Sequence, residues 1–437
     1  MIDVKRFFMI FTAFLLSAIC IYACVDPFVY AEEISEAVEI SAQAPSAVQT
    51  PASEPFAGGF NLGGIHYSID VEEIDLSGSS GLNAKDIDVL RQIAPYAKNL
   101  KNIILGNENT SPYSWDTISQ LQEALPGKHF SYDFSLYGEP MTLDTEYIDL
   151  RKIKVDDDGA AVMAALPCMK KCTYLDMDQS GVDNEHMAVI RDAFPDVKVV
   201  WRVRFTNMDY SCRTDVKTIL CSLCGIGLTD DECCKPLTYC TDLVNLDAGH
   251  NNNMRTLSFL RYMPNLEVFI TYNNYLRDVD DLVYCKKLKY LELFGSSMHN
   301  IDAIGELYEL TDLQIGYCYN LNDISPIIPA DRVPKLQRLW LTPGNIPQDQ
   351  IDEFKRNHPD CIVNDTDNSV GWYWRFIDPI HEYNTPENRT PAYQKIVSIF
   401  HYGAENNLNY SFSTSDPYYT TPHGEPVVGE RVSWFYG

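Results

Sequence analysis

Basic residues are scarce in this sequence: 34 Lys and Arg stand against 61 Asp and Glu, a formal charge of −27. Nucleic acid is therefore a poor partner, because phosphate binding needs clustered cations. An anionic membrane surface is disfavoured for the same reason. A cationic or neutral ligand suits such a chain better, although acidity also simply keeps a protein soluble. The familiar catalytic signatures are missing too. No glycine loop is built to cradle phosphate, and no G-x-S-x-G elbow presents a serine nucleophile. His186, His250, His299 and His358 are scattered, with no catalytic pattern beside any cysteine, and read as surface loop histidines.

Apolar runs of membrane-spanning length are limited to residues 7–23, which follow Lys5 and Arg6 and precede the small-residue pattern Val29-Tyr30-Ala31. This is the layout of a signal peptide over residues 1–31. An uncleaved anchor and lipidation at Cys24 remain open. Residues 32–60, rich in Ala, Glu, Ser and Pro where they begin, read as a flexible linker. Export implies a secreted protein or one held at the cell surface, with no membrane contact beyond that possible anchor. Of thirteen cysteines eleven remain after cleavage, an odd number that cannot pair completely within the chain. Their redox state stays open.

What the chain has in abundance is internal repetition. Segments beginning at Leu243, Leu266, Leu288, Leu310 and Leu336 are spaced 23, 22, 22 and 26 residues apart. Each carries L-x-x-L-x-L or a close variant, as in Leu288, Leu291, Leu293 and Leu310, Leu313, Ile315. Alternation along a strand sends these residues inward and their neighbours outward. Met298, Ile301, Ile304 and Leu307 then follow at the three-residue spacing of a short 3₁₀ return. One unit cannot bury both surfaces alone, so units must stack. A unit at Val216 fits the same register, and weaker ones begin near Val71, Leu100 and Thr145, with another at Leu175 and Met177. Stretches 118–125, 185–194 and 351–357 read as helices, each followed by a proline that stops it. An inserted hairpin is expected around residues 197–208.

These residues resemble the 22-residue leucine-rich repeats of bacterial internalin-type surface proteins, most closely in the units at Leu266 and Leu288. The upstream units are closer to the longer ribonuclease-inhibitor type. The resemblance implies an α/β solenoid over residues 61–365, a leucine-rich-repeat horseshoe with parallel strands on its concave face. The polar ladder position of the repeat is Asn251 and Asn274 in two copies and departs to Ser296 in a third. Residues 371–437 hold fifteen aromatics without repeat periodicity. Residues 366–437 are accordingly read as a cap over the terminal repeat or a small accessory module.

The cysteine run Cys221, Cys224, Cys233, Cys234 and Cys240 is the most zinc-like feature. Its members fall in repeat register, with Cys224 and Cys318 at the ladder position, and structural thiols are the expectation. Asp156-Asp157-Asp158-Gly159 lacks the alternating ligands of a calcium loop and reads as a solvated turn. No cofactor or metal is expected, and no enzyme. The functional expectation is a ligand-binding scaffold whose outward strand residues are exposed and recognise a protein or glycan: Ile270, Tyr272, Tyr290, Glu292, Phe294, Gln314, Tyr317, Arg338 and Trp340. A structural cell-envelope role is the first alternative. The second is a glycan-active enzyme using Asp378, Glu382 and Glu387, at a spacing that matches no known pattern.

Overall fold

The computed structural model describes residues 55–79, 81–111, 113–205, 210–221, 228–366, 373–377 and 385–400. The expected signal peptide and most of the expected linker lie outside these, as do Cys224, Asp378 and Glu382. No helix among the described residues is long and apolar enough to cross a membrane.

Strands come one per repeat and gather into three successive sheets. After a hairpin of β1 (Phe60–Leu62) and β2 (Ile65–Tyr67), the first sheet joins β3 (Glu73–Asp75), β4 (Asn102–Asn107), β5 (His129–Leu136) and β6 (Glu139–Thr142). The second joins β7 (Tyr147–Asp149), β8 (Tyr174–Asp176) and β9 (Lys198–Val200), followed by a hairpin of β10 (Arg202–Phe205) and β11 (Tyr210–Arg213). The third holds seven parallel strands in chain order: β12 (Thr218–Leu220), β13 (Asn245–Asp247), β14 (Val268–Ile270), β15 (Tyr290–Glu292), β16 (Asp312–Gln314), β17 (Arg338–Trp340) and β18 (Ile362–Asn364). This is a repeat solenoid of parallel strands, and its central residues pair in the register the repeat requires. Ile219, Leu246, Phe269, Leu291, Leu313, Leu339 and Val363 form one continuous ladder. The first six are fully buried, so the strand interior and the returns share one apolar core.

The returns differ with the room each coil allows. The 22-residue coils hold only five-residue 3₁₀ turns, Asp280–Tyr284 and Asp302–Glu306, which place Leu282 and Ile304 inward. Other coils contain α1 (Ala84–Ile93), α2 (Trp115–Ala124), α3 (Ala160–Ala165), α4 (Asn184–Ala193), α5 (Asp231–Cys234) and α6 (Gln348–Asn357). Capping explains where several begin. Asn83 and Asp86 form a reciprocal capping box on α1, Ser114 accepts from the Thr117 N–H, and Asp183 accepts from the His186 N–H. Helices α1 and α2 each bury a three-residue stripe, such as Ile87, Leu90 and Ile93.

Two hairpins interrupt the series. The expected insertion forms as β10–β11, a few residues later than the sequence suggests, because Lys198–Val200 pairs with β8 as a repeat strand. The β5–β6 hairpin was not legible: its Tyr137-Gly138 turn relies on left-handed backbone at both residues. The acidic run near it is more than a solvated turn. Asp157 accepts from the Gly159 and Ala161 N–H groups at the start of α3, and the Tyr137 hydroxyl donates to it at 2.5 Å. At the far end of the third sheet Ile362 is 70% exposed, so no described residue closes the last strand.

Candidate recognition site

The outward residues of β12–β18 form two columns across the third sheet. One runs Thr218, Asn245, Val268, Tyr290, Asp312, Arg338; the other runs Leu220, Asp247, Ile270, Glu292, Gln314, Trp340. Adjacent members of a column sit about 4.8 Å apart, the strand spacing. The nine expected recognition residues are therefore neighbours on one surface, in or just beyond these columns. They are not exposed as expected: Ile270, Tyr272, Tyr290, Glu292, Gln314 and Trp340 are buried, and Phe294, Tyr317 and Arg338 half-buried.

The reason is the chain's own C-terminal part. A 3₁₀ turn at Tyr373–Arg375, a bridge between Phe376 and Arg389, and helix α7 (Pro391–Phe400) lie across the strands rather than over the exposed last coil. Trp374, Phe376, Tyr393, Ile396 and Phe400 pack with Leu220, Val268, Ile270, Tyr272, Tyr290 and Trp340 into a second apolar cluster, separate from the solenoid core. The Trp374 ring lies 5.1 Å from Tyr290.

One ion pair pins this contact at its centre. The Arg375 Nε donates to Glu292 Oε1 at 3.0 Å and its Nη2 donates to Oε2, a two-pronged match to the carboxylate. Tyr290 donates its hydroxyl to the same Oε1 at 2.6 Å. The guanidinium also lies 5.7 Å from the Tyr272 ring and 5.2 Å from that of Tyr393. Arg338 completes the grip, donating to Thr390 Oγ1 at 3.2 Å and to the Trp374 carbonyl while lying over the Trp374 ring. Burial, then the Glu292 charge, pushes the Tyr290 hydroxyl well above its ordinary range, so it acts as a donor. Burial, then Arg375, pulls His250 down.

An aromatic row borders the covered area. His250, Tyr272, Phe294, Tyr317 and Tyr319 follow one another at centroid distances of 4.5, 4.9, 6.2 and 6.2 Å, ending on a Tyr319 that is 55% exposed. Beside the row, the coils of β13–β16 each turn at the third residue after the strand, where His250, Asn273, Gly295 and Tyr317 all adopt left-handed backbone. Gly249 is required beside it, since a Cβ at that position would meet the Tyr272 ring at 2.3 Å.

Sequence reasoning missed two parts of this arrangement. The aromatic cluster at Trp374 was visible, but nothing in the sequence marks Arg375 as the partner of Glu292, 83 residues away. The second is a recurring local cap. Asp75, Asp149, Asp176, Asp247 and Gln314, each the last residue of a strand or its register equivalent, accept from the backbone N–H two residues on. Here the periodic signal was present in the sequence and went unread.

The second sheet shows the same device in another form. Hairpin β10–β11 brings Arg213 onto Asp176 with two hydrogen bonds of 3.1 and 3.0 Å, and onto Asp215 with two of 3.0 Å. Asp176 and Glu292 are both the third residue of their strands. Burial raises Asp176, with Arg213 opposing it; the Arg213 charge survives its own burial through Asp215 and Asp176.

The described cysteines go to separate places. Cys221 Sγ donates to the Asp247 carbonyl at 3.3 Å, Cys318 Sγ to the Leu293 carbonyl at 3.4 Å, and Cys240 Sγ contacts Cys212 Sγ at 3.8 Å. Cys318 thus takes up the ladder bond that Asn251 makes to the Cys221 and Ala248 carbonyls. Among the described residues no group of three His, Cys, Asp or Glu side chains could hold a metal ion. His358, expected in a surface loop, is instead buried at the end of α6, 3.1 Å from the Ile327 and Ile328 carbonyls. Glu387 is exposed in a 3₁₀ turn at Pro386–Asn388.

No protein-family model matches the sequence, and no curated protein matches it. Solved structures do. An internalin (InlF) from Listeria monocytogenes aligns with 65% of this chain and 91% of its own at 13% identity and a TM-score of 0.27. Internalin C2 of the same organism aligns with 66% and 88% at 14% identity and a TM-score of 0.27. A leucine-rich-repeat protein from Leptospira interrogans aligns with 68% and 96% at 13% identity and a TM-score of 0.19. Likeness so distant says nothing of ligand or location.

Proposed function

We propose that the protein is a non-catalytic, exported or surface-held recognition scaffold whose strand face binds polypeptide. Its ligand-contacting set is Ile270, Tyr272, Tyr290, Glu292, Phe294, Gln314, Tyr317, Arg338 and Trp340. One observation carries the reading: this face already holds a polypeptide segment, through an apolar cluster and the Arg375–Glu292 pair. A face that binds polypeptide in this way supplies large ring surfaces and a few fixed polar groups, the mixture on which protein recognition depends. Phe294 and Tyr317 are half-buried at the border of the covered area and belong to the ring surface offered to a partner. A protein partner suits this better than a glycan, because Tyr272 and Phe294 stack on each other at 10° and leave fewer free ring faces for a sugar.

The test is capture from the native surroundings, using the full chain and a Phe294→Ser/Tyr317→Ser variant, with cross-linking and mass spectrometry as readout. Wild type should retain a protein that the variant loses while both melt alike. Equal capture by the two would reject this face.

A further inference from the structure

We infer that the described segments 373–377 and 385–400 act as a self-ligand: a strap that occupies the recognition face in competition with a partner carrying the same chemistry. That chemistry is an arginine between aromatic rings, followed by an amphipathic helix. The inference rests on the function proposed above and adds to it the ligand class and a means of regulation.

Three features separate the strap from the solenoid. Its apolar contacts form their own cluster, distinct from the continuous core that runs through the coils. The described strap residues carry Arg375, Arg389 and Lys395 against Glu387 alone, in a chain of formal charge −27. They meet strand carboxylates, Glu292 through Arg375 and Asp312 near Lys395. The strap is thus complementary in charge and in shape to the surface beneath it. Third, it follows the last strand and completes no coil, so the ladder from Ile219 to Val363 stands without it. The hairpin β10–β11 makes the contrast plain: it too delivers an arginine to a strand carboxylate, but it lies between consecutive repeat strands and is tied at both ends.

A strap of this kind lowers the apparent affinity for a partner by the fraction of time the face is closed. A segment offering Trp-Arg-Phe or an equivalent triplet, with apolar helix positions matching Tyr393, Ile396 and Phe400, would fill the same places once the strap lifts.

A synthetic peptide of residues 373–400, labelled with a fluorophore, is titrated into the full chain and into full-chain Trp374→Ala/Phe376→Ala, with anisotropy as the readout. The variant should bind at least about tenfold more tightly than wild type. Adding Glu292→Gln to the variant should remove most of that gain. Equal binding by wild type and variant would overturn the competition while leaving a polypeptide-binding face intact. No binding to either would overturn the competition and the proposed function together. If the variant does not fold, amide hydrogen exchange of the wild type decides. Exchange of the α7 amides through a local opening, faster than those of β14–β16, supports the strap, and exchange only with global unfolding overturns it.

Discussion

Replacing Arg375 with Gln tests how tightly the covering segment is held. Glu292 is 0% exposed, and in the closed state it would keep the Tyr290 hydroxyl at 2.6 Å but lose both guanidinium bonds. Leaving one member of a buried ion pair uncompensated costs about 3–5 kcal/mol. The protein has an escape that a core pair lacks, because lifting segments 373–377 and 385–400 returns water to Glu292. The observed loss is therefore capped by the free energy that holds the segment down. We expect α7 amides to exchange up to about 100-fold faster in Arg375→Gln, the equivalent of nearly 3 kcal/mol, with β14–β16 amides unchanged. Glu292→Gln should act similarly. The double variant should lose less than the sum of the two, with a coupling of about 1 kcal/mol or more. Exchange in α7 within twofold of wild type would show that the pair does not hold the segment.

Four further outcomes follow from the same geometry. Leu291→Ala, in the middle of the buried ladder, should cost about 2–5 kcal/mol in urea unfolding, whatever happens to the C-terminal segment. Gly249→Ala should displace the Tyr272 ring and weaken the stack with Phe294, seen as shifted aromatic resonances of both. Because burial and Arg375 hold His250 below its unfolded value of 6.5, the unfolded state binds more protons as pH falls below about 6.5. That part of the stability is present above this value and declines below it, and His250→Gln should flatten the slope in a pH series of melts. Burial pushes the Cys285 and Cys318 thiols up to about 12, so native protein at pH 8 should leave both unalkylated by iodoacetamide, as judged by peptide mass spectrometry.

The solenoid was legible because its signal is repeated. Leu246, Phe269, Leu291, Leu313 and Leu339 are paired in the structure at the spacings read from sequence. The proline-stopped helices were legible too, since amphipathic stripe and stop coincide. What failed was exposure. Periodicity tells which residues leave the core, but it cannot say whether something else covers them. Tyr290 and Ile270 point outward and are nonetheless buried, through contacts with residues more than 80 positions away that share no repeat. The β5–β6 hairpin was hidden for a related reason. Phe130, Tyr132 and Phe134 alternate as any half-buried strand does, and its partner Glu139–Thr142 is short and contains a proline.

The carboxylates at the strand ends alter how the acidity of the chain should be understood. Asp176 and Asp247 are buried and occupied by neighbouring N–H groups, and Asp176 and Glu292 neutralise arginines out of reach of solvent. A visiting molecule therefore feels a weaker and differently placed field than the sequence total implies. Exchanging these acids for amides to make the protein less anionic would loosen its turns before it changed its surface, so solubility engineering belongs at positions such as Asp88, Glu353 and Asp360, which face water.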